Sequence, residues 1–227
     1  RHITEQHVLD ALNSASGGLP AEGNVGGGAG MMTYEFKGGT GTSSRMVALG
    51  EDNWTVGALV QSNFGARHQL SILGVPVGQE MPEDAPFSDS LQAEQGSIIV
   101  VIGTDAPLLP NQLRRLAKRG ALGIARTGSS GGHYSGDIIL AFSVANDRKT
   151  NRRGEENPPF TQTMTCIDDH YLDGIYEAAV QSVEEAIINA MIAAETVPLI
   201  KPAGKSWQAI DHDRLCEIMA RYNRLDS

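Results

Sequence analysis

Ser97 lies where an acidic stretch gives way to the most apolar, β-branched run of the chain, in Gln95-Gly96-Ser97-Ile98-Ile99-Val100-Val101-Ile102. A hydroxyl at that junction could attack the carbonyl of Gly96, and the cut would leave Ser97 as a new N-terminus. Glycine suits the acyl side, because the strained turn such an attack needs is cheapest without a Cβ. A serine hydroxyl is a weak nucleophile at neutral pH and needs a proton acceptor. The sequence offers two. One is the α-amine that the cut would free on Ser97; its reference pKa of about 7.7–8.0 leaves a neutral fraction near neutral pH. The other is Ser135-Gly136-Asp137 at the start of a strand, where residues i and i+2 project to one face. Asp137 would then hold Ser135, and Ser135 would bridge to Ser97. Taken alone, Gly-Ser is also a common loop dipeptide and Ser-Gly-Asp a common turn.

The elements that must position these groups follow from periodicity and punctuation. Residues 79–95 carry five carboxylates, two prolines and no Lys or Arg, so they are expected in solvent. Residues 97–104 read as a central strand, apolar on both faces. Residues 31–37 and 41–49 read as strands around Gly38-Gly39, and 53–64 as a buried strand. Helices are expected over 4–14, with Val8, Leu9 and Leu12 as its stripe, and over 108–119, closed by Gly120. Residues 122–127 and 137–145 read as strands flanking a glycine-rich loop. The longest helix spans 169–195, where Leu172, Ile175, Tyr176, Ala179, Val183, Ala186, Ile187, Ala190 and Met191 keep a 3-and-4 spacing. A last helix covers 211–222. Strands in the middle with helices mostly at the ends predict a layered α+β sandwich, not alternating βαβ units.

Several separated blocks carry a resemblance. Residues 96–146, GSIIVVIGTDAPLLPNQLRRLAKRGALGIARTGSSGGHYSGDIILAFSVAN, are similar to the DmpA-type aminopeptidases. That family includes the β-peptidyl aminopeptidases and the L-aminopeptidase/D-amidase-esterases. EGNVGGGAGMMTYEFKGGTGTSSR (22–45) resembles its glycine-rich segment, and VGALVQSNFGARHQL (56–70) also matches. The resemblance runs from about residue 20 onward. It implies an α-β-β-α sandwich like that of the N-terminal-nucleophile hydrolases, with different connectivity. It also implies a single domain, 1–227, lacking its N-terminal part. Residues 1–96 would be the end of the α portion and 97–227 the β portion, with autocleavage between Gly96 and Ser97. Carried over residue by residue, it makes Ser97 the nucleophile, Ser135 a relay, Asp137 the orienting acid and Asn63 an oxyanion donor. Some relatives resemble this pattern with Glu at the last position. The family's oxyanion tyrosine and amine-binding acid would belong to the absent segment. The implied substrates are short peptides, amides or esters, with no cofactor and a homo-oligomer of αβ units. Two alternatives stand beside it. One is an autoprocessed acyltransferase of the ornithine acetyltransferase type, whose N-terminal threonine this chain replaces with Ser97. The other is an inactive structural fragment.

Composition narrows the partners. The net charge of -9 is uneven: residues 1–96 hold 4 basic and 11 acidic side chains, and 97–227 hold 14 and 16. Neither half is built for nucleic acid or an anionic membrane, and no apolar run approaches the roughly 20 residues that span a bilayer. A cytoplasmic location is expected over export. Two cysteines, Cys166 and Cys216, make no disulfide framework. Gly26-Gly27-Gly28-Ala29-Gly30 lacks the Lys-Ser/Thr of a phosphate loop and reads as a structural turn. Cys166, Asp168, Asp169 and His170 match no zinc spacing and read as a loop and helix cap. His68 and His133 read as surface or loop residues, His133 within reach of a pocket beside Ser135. Arg114, Arg115 and Lys118 read as a solvated helix face.

Overall fold

The computed structural model describes residues 2–86, 96–146, 161, 163–200 and 203–225. Residues 87–95, the larger part of the acidic stretch, lie outside the described residues. Of its beginning, Pro82–Asp84 is exposed as its composition predicts.

A four-stranded sheet carries the site. The early strands β1 (Met32–Thr33) and β2 (Phe36–Lys37) form a small hairpin beside it. Strand β3 (Thr40–Leu49) pairs antiparallel with β4 (Asp52–Asn63), turning at Gly50, whose φ of +65° suits a residue without a Cβ. Strand β5 (Ser97–Thr104) runs antiparallel to β4, and β6 (Ile138–Ser143) runs parallel to β5, giving the order β3-β4-β5-β6. Strand β5 is therefore internal, as its apolar run predicts.

Period-2 alternation sorts the strands onto two faces. Val56, Val60, Ile98, Val100 and Ile102 are buried on one of them. Helices α3 (Pro110–Arg126) and α4 (Asp173–Ile192) cover that face, α4 mainly against β3 and β4. All nine apolar positions anticipated on the long helix are buried, from Leu172 just before its start to Met191. The opposite face carries Leu59, Ile99, Leu140 and Phe142, all exposed. The described residues thus build one main sheet and one helical layer of an α+β fold, with two small two-stranded pairs, β1-β2 and Val197–Pro198 with Ser206–Trp207, beside them. Helix α1 (Glu5–Asn13) forms where expected but buries none of its residues. Helix α5 (His212–Arg221) closes the chain's described part and seals the end of the core with Leu215, Ile218 and Met219. Among the described residues no helix is long and apolar enough to cross a membrane.

Four expectations need correction. Residues 122–127 are not a strand: Leu122–Arg126 continue α3, and Gly120 does not end it. A Cβ at Gly120 would lie 3.0 Å from Ile139 Cγ2, and one at Gly123 would lie 2.8 Å from Val183 Cβ. These glycines let α3 approach β6 and α4 closely. They read as terminators only in the absence of that packing. Residues 31–37 are a hairpin and not one strand, because Tyr34 and Glu35 take φ of 50° and 63°. The long helix splits into a 3-10 turn, Asp169–Tyr171, and α4. Finally, the acidic stretch does not lie wholly in solvent: Gln79 and Glu80 end a short helix, α2 (Val77–Glu80), and Met81 is buried in the core. The single β5-α3-β6 crossover makes the sheet mixed and leaves the expected α+β layout standing.

Candidate active site

Asn63 closes β4 and Ser97 opens β5, and the antiparallel register sets them directly opposite each other. Both alternate onto the face that the helices leave uncovered. The loop between α3 and β6 supplies the third side. The Gly136 N–H donates to Ser97 Oγ at 2.9 Å. Ser135 Oγ donates to Asp137 Oδ1 at 2.6 Å, and the same oxygen accepts the Ile98 N–H at 3.0 Å. The structure therefore brings Asn63, Ser97, Ser135 and Asp137 to one end of the sheet. It differs from the sequence reading in one link: the loop touches the Ser97 hydroxyl through the Gly136 backbone, while Ser135 turns to the carboxylate. Asp137 in turn grips the residue that follows Ser97.

Gly96 is also there for space. A Cβ on it would meet the Asn63 carbonyl oxygen and would lie 2.8 Å from Phe64 Cα. Close backbone approach, not a left-handed φ, is what excludes a side chain there.

Asn63 is held from behind. Its Oδ1 accepts the Met32 N–H at 3.0 Å, which assigns the amide and leaves the Nδ2 hydrogens to donate elsewhere. The hairpin supplying that N–H is pinned by two buried cations. Lys37, fully buried, donates from Nζ to the carbonyls of Gly28 (2.9 Å), Met31 (2.8 Å) and Gly38 (2.5 Å). Burial pushes its pKa down to about 8. Arg67 lies 3.3 Å over the Phe36 ring and donates to the carbonyls of Tyr34, Glu35, Met81 and Glu83. Burial pushes it down to about 10. It ties the hairpin to the start of the acidic stretch. Tyr34 completes the frame. Its N–H donates to the Phe64 carbonyl (2.7 Å), and its Oη meets Thr127 Oγ1 (2.7 Å) and accepts the Ser129 N–H (3.1 Å). One residue thus links the end of β4 to the loop bearing Ser135.

Sequence reasoning missed Lys37, Arg67, Tyr34 and the backbone donors of Met32 and Gly136. For Lys37 the available signal was a lone base set between Phe36 and the Gly38-Gly39 pair. The rejected candidates have local roles. Gly26–Gly30 is a 3-10 turn in which Gly28 is buried. Asp168 caps His170, accepting its N–H at 2.9 Å, and Asp169 accepts from Arg115 (2.6 Å) and Gln112 (2.7 Å). Arg115 is therefore paired, and Arg114 stays exposed. His133 stacks edge-on against Tyr134, with ring centres 4.9 Å apart. His68 sits exposed in a 3-10 turn, Arg67–Gln69. Cys166 and Cys216 are free and exposed.

A sequence model of peptidase family S58 matches residues 1–202. The chain belongs to this family. It is 44% identical over 235 residues to the β-peptidyl aminopeptidase BapA of Sphingosinicella microcystinivorans, covering 99% of this chain and 58% of that protein. With the β-peptidyl aminopeptidase BapA of Sphingosinicella xenopeptidilytica it shares 41% over 232 residues, covering 98% and 56%. Among solved structures, the L-aminopeptidase D-Ala-esterase/amidase of Ochrobactrum anthropi superposes with a TM-score of 0.89 at 49% identity, over 99% of this chain and 59% of that one. That protein is described as a prototype of the serine aminopeptidases and a variant of the Ntn hydrolase fold. A Burkholderia sp. β-aminopeptidase gives a TM-score of 0.83 at 39% identity, over 97% and 59%. This S58 chain therefore spans a little under three-fifths of the length of the relatives it matches.

Proposed function

We propose that the full-length protein is an autoprocessed serine aminopeptidase. It releases N-terminal residues from short peptides, amides or esters, and works as a homo-oligomer of αβ units cut between Gly96 and Ser97. The observation that carries this reading is the pairing of Ser97 with Asn63 across β4 and β5, with Gly136 and Asp137 on the third side. Cleavage frees the Ser97 α-amine, which takes the hydroxyl proton as Oγ attacks the substrate carbonyl. The Nδ2 of Asn63 donates to the oxyanion of the tetrahedral intermediate. The Ser97 ammonium passes that proton to the leaving amine, and Ser97 keeps the acyl group as an ester. Water then gives a proton to the freed α-amine, attacks the ester and releases the acid, and the proton returns to the serine oxygen. Asp137 fixes the start of β5 and the Ser135 hydroxyl, so the nucleophile keeps its place through both steps. The exposed face of Leu59, Ile99, Leu140 and Phe142 fits a second sheet laid over it, as a four-layer sandwich requires.

Two outcomes are expected. Purified full-length protein releases the amine from aminoacyl-anilides of short α- or β-amino acids and transfers no acyl group to ornithine above the rate to water. Efficient transfer to ornithine would instead favour the acyltransferase. Gly96→Ala slows the cut severalfold or more in an intact-mass time course and lowers stability by about 1–3 kcal/mol, as overpacking does. Cutting at the parent rate would contradict the close approach of Gly96 to β4.

A further inference from the structure

Lys37 sits fully buried in β2 with all three of its N–H bonds on backbone carbonyls. A cation kept inside a fold on carbonyls alone is expensive unless those carbonyls matter. One of them belongs to Met31, and that carbonyl shares a planar peptide unit with the Met32 N–H. The unit is gripped at both ends. Met31 O accepts from Lys37 Nζ at 2.8 Å and from the Gly38 N–H at 3.2 Å, while Met32 N–H donates to Asn63 Oδ1 at 3.0 Å. A positive charge on the oxygen fixes the plane and polarises the unit, making its N–H a stronger donor. A firmly held Oδ1 keeps the Asn63 amide from flipping and presents NH2, not oxygen, as the group left to donate. The Gly28 carbonyl binds the same ammonium, so the glycine-rich 26–30 turn is drawn onto this peptide unit.

We propose that Lys37 is a positioning residue for hydrolysis: through the Met31–Met32 peptide unit its ammonium sets the Asn63 amide as an oxyanion donor. The proposal rests on the aminopeptidase reading of Ser97 and Asn63. It is tested in the full-length protein with Lys37→Met, Asn63→Ala and the double variant, measuring kcat, KM and thermal melting for each. Lys37→Met should lower kcat by about ten- to a hundredfold, a share of the hundred- to thousandfold typical of losing an oxyanion donor outright. KM should stay within about twofold. In the Asn63→Ala background Lys37→Met should cost nothing more, because the group it acts through is gone. Undiminished kcat in Lys37→Met overturns the proposal, and so does a multiplicative loss in the double variant. If Lys37→Met does not fold, Lys37→Gln, which keeps two N–H donors without the charge, is read against the same outcomes. Failure of both to fold assigns Lys37 to stability alone and overturns the proposal. Asn63→Ala turning over like its parent would contradict the aminopeptidase site itself, whatever Lys37 does.

Discussion

Ser97→Ala in the full-length protein leaves one uncut chain and abolishes aminopeptidase turnover. Both losses come from one atom. The Oγ that accepts the Gly136 N–H at 2.9 Å opens β5, next to the Gly96 carbonyl in sequence. Without it no ester forms on the acyl side of Gly96, so no new α-amine appears, and the substrate meets neither nucleophile nor base. Alanine is sterically silent at this position, so the melting temperature should stay close to that of the parent. Ser97→Cys separates the two steps further: a thiol can still cut, slowly or fully, and its turnover reports nucleophile chemistry apart from folding. A cut and active Ser97→Ala protein would remove Ser97 from the mechanism.

Asp137→Asn lowers kcat on the order of a thousand- to ten-thousandfold, the scale of loss when an orienting carboxylate becomes an amide. The parent carboxylate oxygen takes two donors at once, the Ser135 hydroxyl at 2.6 Å and the Ile98 N–H at 3.0 Å. An amide has the wrong charge for both. If its NH2 turns to that side, it faces two donors; if its oxygen stays, the bonds weaken. Either way the start of β5 and the Ser135 side chain lose their common anchor. The cut at Gly96–Ser97 should slow as well, because the same strand end must present the hydroxyl. KM should change little, since Asp137 grips the protein and not the substrate. Asp137→Glu should recover part of the rate, as the carboxylate is kept on a stem one methylene longer. Turnover by Asp137→Asn within a few-fold of the parent would take this residue out of the mechanism.

The strand that begins at Ser97 was legible because its residues are apolar at both parities, and the structure gives it the expected bounds, Ser97–Thr104. The long helix was legible for the same kind of reason, nine apolar positions on one repeating stripe. What periodicity could not supply was register. That Asn63 faces Ser97 depends on which residue of β4 pairs with which of β5, and single-residue slips leave no mark in composition. The continuation of α3 through Leu122–Arg126 was misread because a short apolar run beside glycine suits a strand or a helix equally. Gly120 and Gly123 look like punctuation until Ile139 and Val183 are seen against them. Lys37 and Arg67 were passed over because a base in sequence is read as solvated. Their burial is set by turn carbonyls, within 9 residues of Lys37 and from 14 to 33 residues away for Arg67, which no periodicity announces.

The family, the α+β fold and the candidate nucleophile are thus visible at the level of local chemistry, while the frame that aims Asn63 is a tertiary property. Intact-mass spectrometry of the purified full-length protein, after brief exposure to a slow aminoacyl ester, reads both the cut and the acyl-enzyme on Ser97. Two chains are expected, the second beginning at Ser97, with the acyl mass on that second chain alone. A single unbroken chain, or an acyl group found on any other residue, would contradict the role of Ser97.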